Sequence, residues 1–106
     1  MTAHELAGET VLERFLRYAA FDTQSDPNSA SSPSAAKELS LAAELLEELR
    51  AMGLEASLTD TGIVYASIPA TPGLEDRPAI GMIAHMDTSP DAPGDGVSPQ
   101  IGRAHV

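Results

Sequence analysis

Two residues of types that bind metals, His85 and Asp87, follow the apolar run Ala79 to Ala84 and are separated by a single residue. Alternate residues of a β-strand point to the same side, so we expect this imidazole and this carboxylate to lie next to each other. A neutral imidazole beside a carboxylate is a common beginning of a zinc site. His85 is therefore the candidate metal ligand. Asp87 is the candidate residue that orients an adjacent ligand or supports the metal site without binding the metal itself.

A structural interpretation of the same pattern stays open. His85 could simply end a strand and Asp87 cap a turn, because short patterns such as His-x-Asp also arise by chance. A zinc site takes about three or four protein ligands. The other histidines, His4 and His105, lie near the two ends of the sequence, and we expect both to be exposed. Asp91 and Asp95 have proline or glycine neighbours and are expected to serve turns.

The segment that carries the pair predicts a buried strand from about Ala79 to Met86. It is apolar on both faces, which is typical of a parallel strand covered by helices. Ligands of such sheets bind beyond the carboxyl ends of the strands. The prediction therefore places His85 and Asp87 where a ligand would bind.

Two helices are predicted before this strand. Thr10-x-x-Glu13 is a capping box that starts a helix ending near Ala20 or Phe21. The second helix is expected to use Ser32 or Ser34 as its cap and to end before Gly53. The expected apolar face of the first helix is Leu12, Phe15, Leu16 and Ala19, and that of the second is Leu39, Ala42, Leu45, Leu46 and Leu49. Glu44, Glu47 and Glu48 are expected to form a solvated acidic face.

A hairpin is predicted between the second helix and the apolar strand. Leu54 to Thr59 alternates apolar and polar residues, and Ile63 to Ile68 has strand composition. Asp60-Thr61-Gly62 is the expected three-residue loop. With residues 1–9 as a loose extension, the order is helix, helix, strand, strand, strand, which predicts an α/β fold.

Composition excludes several classes of partner. The 106 residues include 16 acidic and 6 basic ones, for a net charge of -10, which argues against nucleic acid and anionic membranes. There are no cysteines, so disulfides and thiolate metal sites are excluded. No stretch reads as a membrane span or a signal peptide. We expect a cytoplasmic protein.

Several motifs, in order along the chain, resemble the N-terminus of the tripeptide aminopeptidases of the dinuclear-zinc exopeptidase family. His-x-Asp is shared by the whole family, whereas Asp-Thr-Gln-Ser and Asp-Thr-Ser-Pro-Asp point to the tripeptidase branch. The matching segments are Leu12 to Tyr18, Phe21 to Ser25, Pro78 to Gly81, His85 to Asp91 and Pro99 to Ile101.

This resemblance implies roles for the candidate residues. His85 matches the family's first zinc-ligand histidine, and Asp87 matches the aspartate counted as catalytic. The family uses two zinc ions, a bridging aspartate and a glutamate base to release the first residue of a tripeptide with a free amino terminus. The resemblance also implies a possible homodimer of the full-length enzyme, through a second domain.

The resemblance further implies that much of the site lies beyond Ile101, because the other ligands and the base follow this point in the family. We therefore interpret residues 10–101 as an incomplete N-terminal part of the catalytic domain and expect the chain alone to be inactive and to bind zinc weakly. Residues 102–106 resemble the translation of a common sequencing adapter, and we expect them, including His105, not to be native. A real frameshift or a truncated pseudogene is the alternative.

Two alternatives stay open. A related zinc deacylase or carboxypeptidase of the same family would share His85 and Asp87 and differ downstream. A non-catalytic, acidic α/β interaction module would keep the fold and need no metal.

Overall fold

A computed structural model describes residues 1–102 of the chain. The predictions for residues 103–106, including that for His105, lie outside the described residues. The described part contains three helices and one two-stranded sheet. Their bounds are Ala3–Gly8 for α1, Val11–Ala19 for α2, Glu38–Ala51 for α3, Glu55–Leu58 for β1 and Val64–Ser67 for β2. This content is mixed α and β, as predicted. No helix within residues 1–102 is long and apolar enough to cross a membrane.

Helix α1 corrects the prediction that residues 1–9 are a loose extension. Thr2 and Glu5 form a capping box, in which the Thr2 hydroxyl accepts from the Glu5 N–H and the Glu5 carboxylate accepts from the Thr2 N–H. Leu6 is buried, with only 2% of its surface exposed, and α1 packs on α3. The Thr-x-x-Glu pattern that predicted the start of α2 also marks the start of α1, where the sequence prediction overlooked it.

Helix α2 begins where the sequence predicted but packs differently. Thr10 and Glu13 form the expected capping box, with the Glu13 N–H donating to the Thr10 hydroxyl at 3.1 Å. The expected apolar face is largely uncovered, since Leu12 is 46% and Phe15 58% exposed. Within the described residues, α2 is held to α3 by polar and charged contacts of Arg17 and Tyr18. The apolar residues of α2 therefore line open space.

Helix α3 is the element on which α1, β1 and β2 pack. Its N-terminus corrects the prediction of a serine cap, because Lys37 occupies the cap position without a side-chain bond. Turns of the tighter 3₁₀ type precede the helix: the Glu38 N–H donates to the Ala35 carbonyl at 3.1 Å. Ser34 lies too early to cap the helix, and its hydroxyl donates to the Glu38 carboxylate instead, at 3.1 Å.

The C-terminus of α3 is as predicted. Gly53 has φ +86°, the left-handed conformation that glycine adopts without a steric penalty. The Leu54 N–H donates to the Leu49 carbonyl and the Gly53 N–H to the Arg50 carbonyl, which together form a Schellman motif. The buried apolar residues of α3 are Leu41 and Ala42, with the leucines of the predicted stripe half-buried beside them.

The hairpin is confirmed. β1 and β2 pair antiparallel, with Glu55 opposite Ser67 and Leu58 opposite Val64. The Thr59 N–H donates to the Ile63 carbonyl at 2.9 Å and closes the predicted loop of Asp60-Thr61-Gly62. Gly62 has φ +86° and lies against Pro33.

The predicted strand from Ala79 to Met86 is not formed within the described residues. This segment has no regular secondary structure, and Ile80, Met82 and Ile83 are 89%, 94% and 102% exposed. A buried parallel strand needs hydrogen-bonded neighbours and helices over both faces. The described sheet contains only β1 and β2, which pair with each other. Within residues 1–102, this segment therefore has no strand to pair with and no helix that buries its apolar side chains.

A cluster of charged side chains corrects the prediction that Glu48 is solvated. Glu48 is only 4% exposed and contacts both Arg17 and the Tyr18 hydroxyl. Arg17 also pairs with Glu44 at 3.1 Å and with Glu9 at 2.9 Å. A buried carboxylate is stable only with such partners. Glu47, in contrast, is exposed as predicted.

Candidate metal and catalytic site

The structure brings the predicted pair into direct contact. His85 Nδ1 lies 3.0 Å from Asp87 Oδ1 and 2.8 Å from the Asp87 backbone carbonyl. A carboxylate and a carbonyl can only accept a hydrogen bond, so Nδ1 carries the proton and donates to both. In the neutral imidazole, the other ring nitrogen, Nε2, then presents its lone pair. This is the tautomer that binds a metal through Nε2.

The pair lies on an open surface. The His85 side chain is 85% exposed and that of Asp87 44%. The contact forms without the predicted strand, because the residues around it form no ladder except at the following residue, Thr88. The prediction that the two side chains would lie together is thus confirmed, although the element expected to place them is absent from the described residues.

An apolar cleft of about 750 Å³ borders the pair. Helices α2 and α3 form one wall, and the segment after Asp87 forms the other. The apolar side chains that line it include Phe15, Phe21, Leu41, Leu45, Met86 and Val97. A second cleft, of about 770 Å³, lies on the hairpin side of the same segment. The His85 imidazole therefore stands between two uncovered apolar surfaces.

The donor set fits zinc in kind but not in number. An imidazole nitrogen and a carboxylate oxygen are ordinary zinc ligands, and a closed site takes about three or four of them. Among the described residues, no group of three or more His, Cys, Asp or Glu side chains could hold a metal ion. Asp91 contacts Ser89 and belongs to a turn, as predicted. Residues 1–102 thus offer at most part of a metal site.

The segment Asp22 to Ser25, which the sequence singled out only by resemblance, adjoins this pair in space. Its backbone forms a parallel bridge with the residue after Asp87, Gln24 opposite Thr88. The Lys37 ammonium, 3.0 Å away, is the main cause of a lowered pKa of Asp22, and the Gln24 N–H adds to it. From composition, residues 22–34 suit a connector slightly better than a loop near a site, so the resemblance was the stronger signal for this contact.

The charged cluster behind α2 has strongly shifted pKa values. Hydrogen bonds from Arg17 and then Arg14 lower the pKa of Glu9 to about 2. Burial, and then the hydrogen bond to Glu48, raises the pKa of Tyr18 to about 12. The same ion pairs raise the pKa of Arg17. These groups keep their charge states through the neutral range and hold α1, α2 and α3 together.

Comparison with known proteins assigns the relationship. Peptidase T of Clostridium acetobutylicum is 52% identical over 95 residues, which are 88% of this chain and 23% of that protein. Peptidase T of Desulfitobacterium hafniense is 50% identical over 92 residues, and that of Geobacillus kaustophilus 46% identical over 94. The chain is similar to part of peptidase T. No protein-family model matches the chain.

This similarity confirms the resemblance found in the motifs and shows that it covers most of the chain. The chain spans less than a quarter of the length of these curated relatives, between 22% and 23% of each. The three relatives share the name peptidase T, which names a peptidase. The activity of the whole protein is a matter for proposal.

Proposed function

We propose that this chain is the N-terminal part of a zinc-dependent tripeptide aminopeptidase, which releases the first residue of a tripeptide by attack of a metal-activated water. The observation that supports it most is the identity of 52% with a peptidase T over 88% of the chain. The contact between His85 and Asp87 agrees with this proposal, since it leaves His85 Nε2 available as a ligand.

Each residue of the pair has a distinct proposed role. His85 would hold a zinc ion through Nε2, and Asp87 would keep the imidazole in the Nδ1–H tautomer and raise its basicity as a ligand. Zinc, when bound, polarises the scissile carbonyl and lowers the pKa of a bound water. The remaining ligands and the general base would come from outside residues 1–102.

The isolated chain is proposed to be inactive. One proposed ligand, His85, cannot close a zinc site, so metal binding by this part alone would be weak. A homodimer and a cytoplasmic location of the complete enzyme stay part of the proposal, as the resemblance and the sequence suggested.

A chimera tests the proposed function. Residues 1–101 of this chain replace the matching 95-residue segment of the Clostridium acetobutylicum peptidase T, and release of the first residue is measured on tripeptides with a free amino terminus. We expect activity that a chelator removes and zinc restores. His85→Ala and Asp87→Asn should each lower kcat by about a hundredfold or more, whereas His4→Ala, an exposed histidine outside the site, should leave it unchanged.

Two results would contradict the proposal. Cleavage that persists in the metal-stripped chimera would exclude the metal mechanism. Release of the last residue, or hydrolysis of an N-acylated amino acid in preference to a tripeptide, would assign the protein to the related carboxypeptidases or deacylases instead.

A further inference from the structure

The residue directly after Asp87 is held from both sides by a distant segment. The Thr88 N–H donates to the Thr23 carbonyl at 2.9 Å, and the Ser25 N–H donates to the Thr88 carbonyl at 3.0 Å. The Ser25 hydroxyl donates to the same Thr88 carbonyl at 2.9 Å. Both polar groups of the Thr88 backbone are thereby fixed by residues more than sixty positions earlier in the sequence.

A fourth hydrogen bond joins the same distant segment to the chain two residues after Thr88. The Gln24 side-chain amide donates to the Pro90 carbonyl at 3.1 Å. Thr23 is buried, at 3% exposure, so the segment that holds Thr88 is itself part of the packed structure. We name residues 22–25 the clasp.

The clasp is anchored at its own start. Asp22 accepts from the Gln24 N–H through Oδ1, at 3.1 Å, and pairs with Lys37 through Oδ2, at 3.0 Å. Lys37 stands at the cap position of α3. The clasp is therefore tied to the helix around which the described elements pack.

A glycine lets the chain after Asp87 close on the clasp. A Cβ at Gly94 would lie 2.6 Å from Asp22 Oδ1 and 3.0 Å from the Gln24 nitrogen. Real side chains do not approach so closely, so only glycine fits without a shift. The loop beyond the pair is thus shaped to rest on residues 22–24.

Asp87 has few other constraints. Among residues 1–102, the one side chain that hydrogen-bonds the Asp87 carboxylate is that of His85, which is itself mostly exposed. The position of Asp87 therefore depends on its backbone, and the clasp fixes that backbone at the next residue.

We propose that Ser25 and Gln24 are positioning residues, which set Asp87 against His85 by holding the backbone of Thr88 and Pro90. Their catalytic consequence rests on the proposed function, in which Asp87 orients the His85 imidazole. Among residues 1–102, neither side chain hydrogen-bonds His85 or Asp87, and both bond to backbone carbonyls instead, so each acts through the backbone.

The direct test uses the chain itself, with its histidines labelled with nitrogen-15. In the unsubstituted chain, His85 should be mainly the Nδ1–H tautomer, because both of its partners are acceptors. Ser25→Ala and Gln24→Ala should each lower the Nδ1–H share by about twofold. Ser25→Thr, which keeps the hydroxyl, should restore it. Ser57→Ala, a serine on the exposed side of β1, is the matched control.

The same substitutions in the peptidase T chimera test the catalytic consequence. Ser25→Ala should lower kcat and zinc affinity by about tenfold, while KM and the melting temperature change little. An unchanged His85 tautomer in both alanine variants, or a Ser25→Thr variant as impaired as Ser25→Ala, would overturn the inference. An inactive unsubstituted chimera together with a shifted tautomer would overturn the proposed function and support the positioning of Asp87.

Discussion

At the scale of single residues, some contacts could be predicted from the local sequence and others depend on how the helices pack. The contact of His85 with Asp87 was predicted from their spacing on a strand, and it forms although that strand is absent from the described residues. The burial of Glu48 was not predicted, because its neighbours on α3 are exposed or half-buried glutamates of the same type. Its partners, Arg17 and Tyr18, lie on another helix. Their contact with Glu48 is a tertiary contact, which the local sequence pattern does not predict.

Glu9 predicts an acid-sensitive component of stability. Its folded-state pKa, about 2, lies below the ordinary value of 4.5, so its contribution is complete above pH 4.5 and is lost as the pH falls towards 2. Glu9→Gln should remove that part of the pH dependence, measured by urea unfolding between pH 6 and 2. Glu47→Gln, at an exposed position, should keep the profile of the unsubstituted chain. Identical profiles for both variants would contradict the role of Glu9.

Tyr18 predicts a late phenol titration. The chain has two tyrosines, so Tyr65→Phe leaves Tyr18 as the only phenol to follow by ultraviolet absorbance. Burial and the Glu48 carboxylate both disfavour the phenolate, and the midpoint should lie at about 12. Adding Glu48→Gln should lower the midpoint while leaving it above the usual value, because burial is the larger cause. A midpoint near 10 in the chain with Tyr18 and Glu48 intact would place the hydroxyl in water.

At the scale of elements, the start of α2, the end of α3 and the hairpin turn were predicted correctly, whereas the cap of α3, the helix α1 and the long-range pairing were not. Thr10, Gly53 and Gly62 mark helix and hairpin ends because each acts on backbone groups within a few residues. The same logic would have found α1 from Thr2 and Glu5. The segment from Ala79 to Met86 needs hydrogen-bond partners that its own sequence cannot provide, so its apolar pattern could not determine whether it pairs.

The capping box of α2 predicts a measurable loss of stability. Thr10→Ala removes the hydroxyl that accepts from the Glu13 N–H, and it should lower the free energy of unfolding by about 1 kcal/mol. Circular dichroism during urea unfolding measures this change. Thr71→Ala, in an exposed loop, is the matched control and should have no effect. Equal stability of the two variants would show that the cap contributes nothing.

Gly94 predicts a second loss, with a different cause. Gly94→Ala forces a Cβ against Asp22 and the Gln24 nitrogen, and it should lower the free energy of unfolding by about 1–3 kcal/mol. Gly81→Ala introduces the same methyl group where no atom lies within 4 Å and should be neutral. If Gly94→Ala is as stable as Gly81→Ala, the loop does not rest on the clasp.

At the scale of the whole molecule, the described residues form a small packed centre with large apolar borders. Leu6, Leu41 and Ala42 are the buried apolar residues, whereas many larger apolar side chains are exposed. The relatives are more than four times as long as the matched segment. The net charge of -10 opposes association between copies of the chain through repulsion. The apolar surfaces nevertheless remain exposed to water and favour association.

The exposed segment around Ile83 predicts self-association of the isolated chain. Ile83→Asp should reduce it, because the substitution places a charge in the centre of an exposed apolar run without disturbing a buried contact. Light scattering after size-exclusion chromatography measures the mean mass at several concentrations. Thr71→Asp adds the same charge at an exposed polar site and should associate like the unsubstituted chain. A monomeric unsubstituted chain at high concentration would refute this prediction.

The clasp also affects which contacts can form while the chain is being synthesised. Helices α1 to α3 and the hairpin use partners that are complete once Ser67 has been made. Residues 22–25 find their partner only at Thr88, 21 positions after Ser67 (88 minus 67). At about 5–20 residues per second, a ribosome needs roughly 1–4 seconds for that interval. During this time the backbone partner of residues 22–25 does not yet exist, so the clasp cannot order the candidate site until Thr88 has been made.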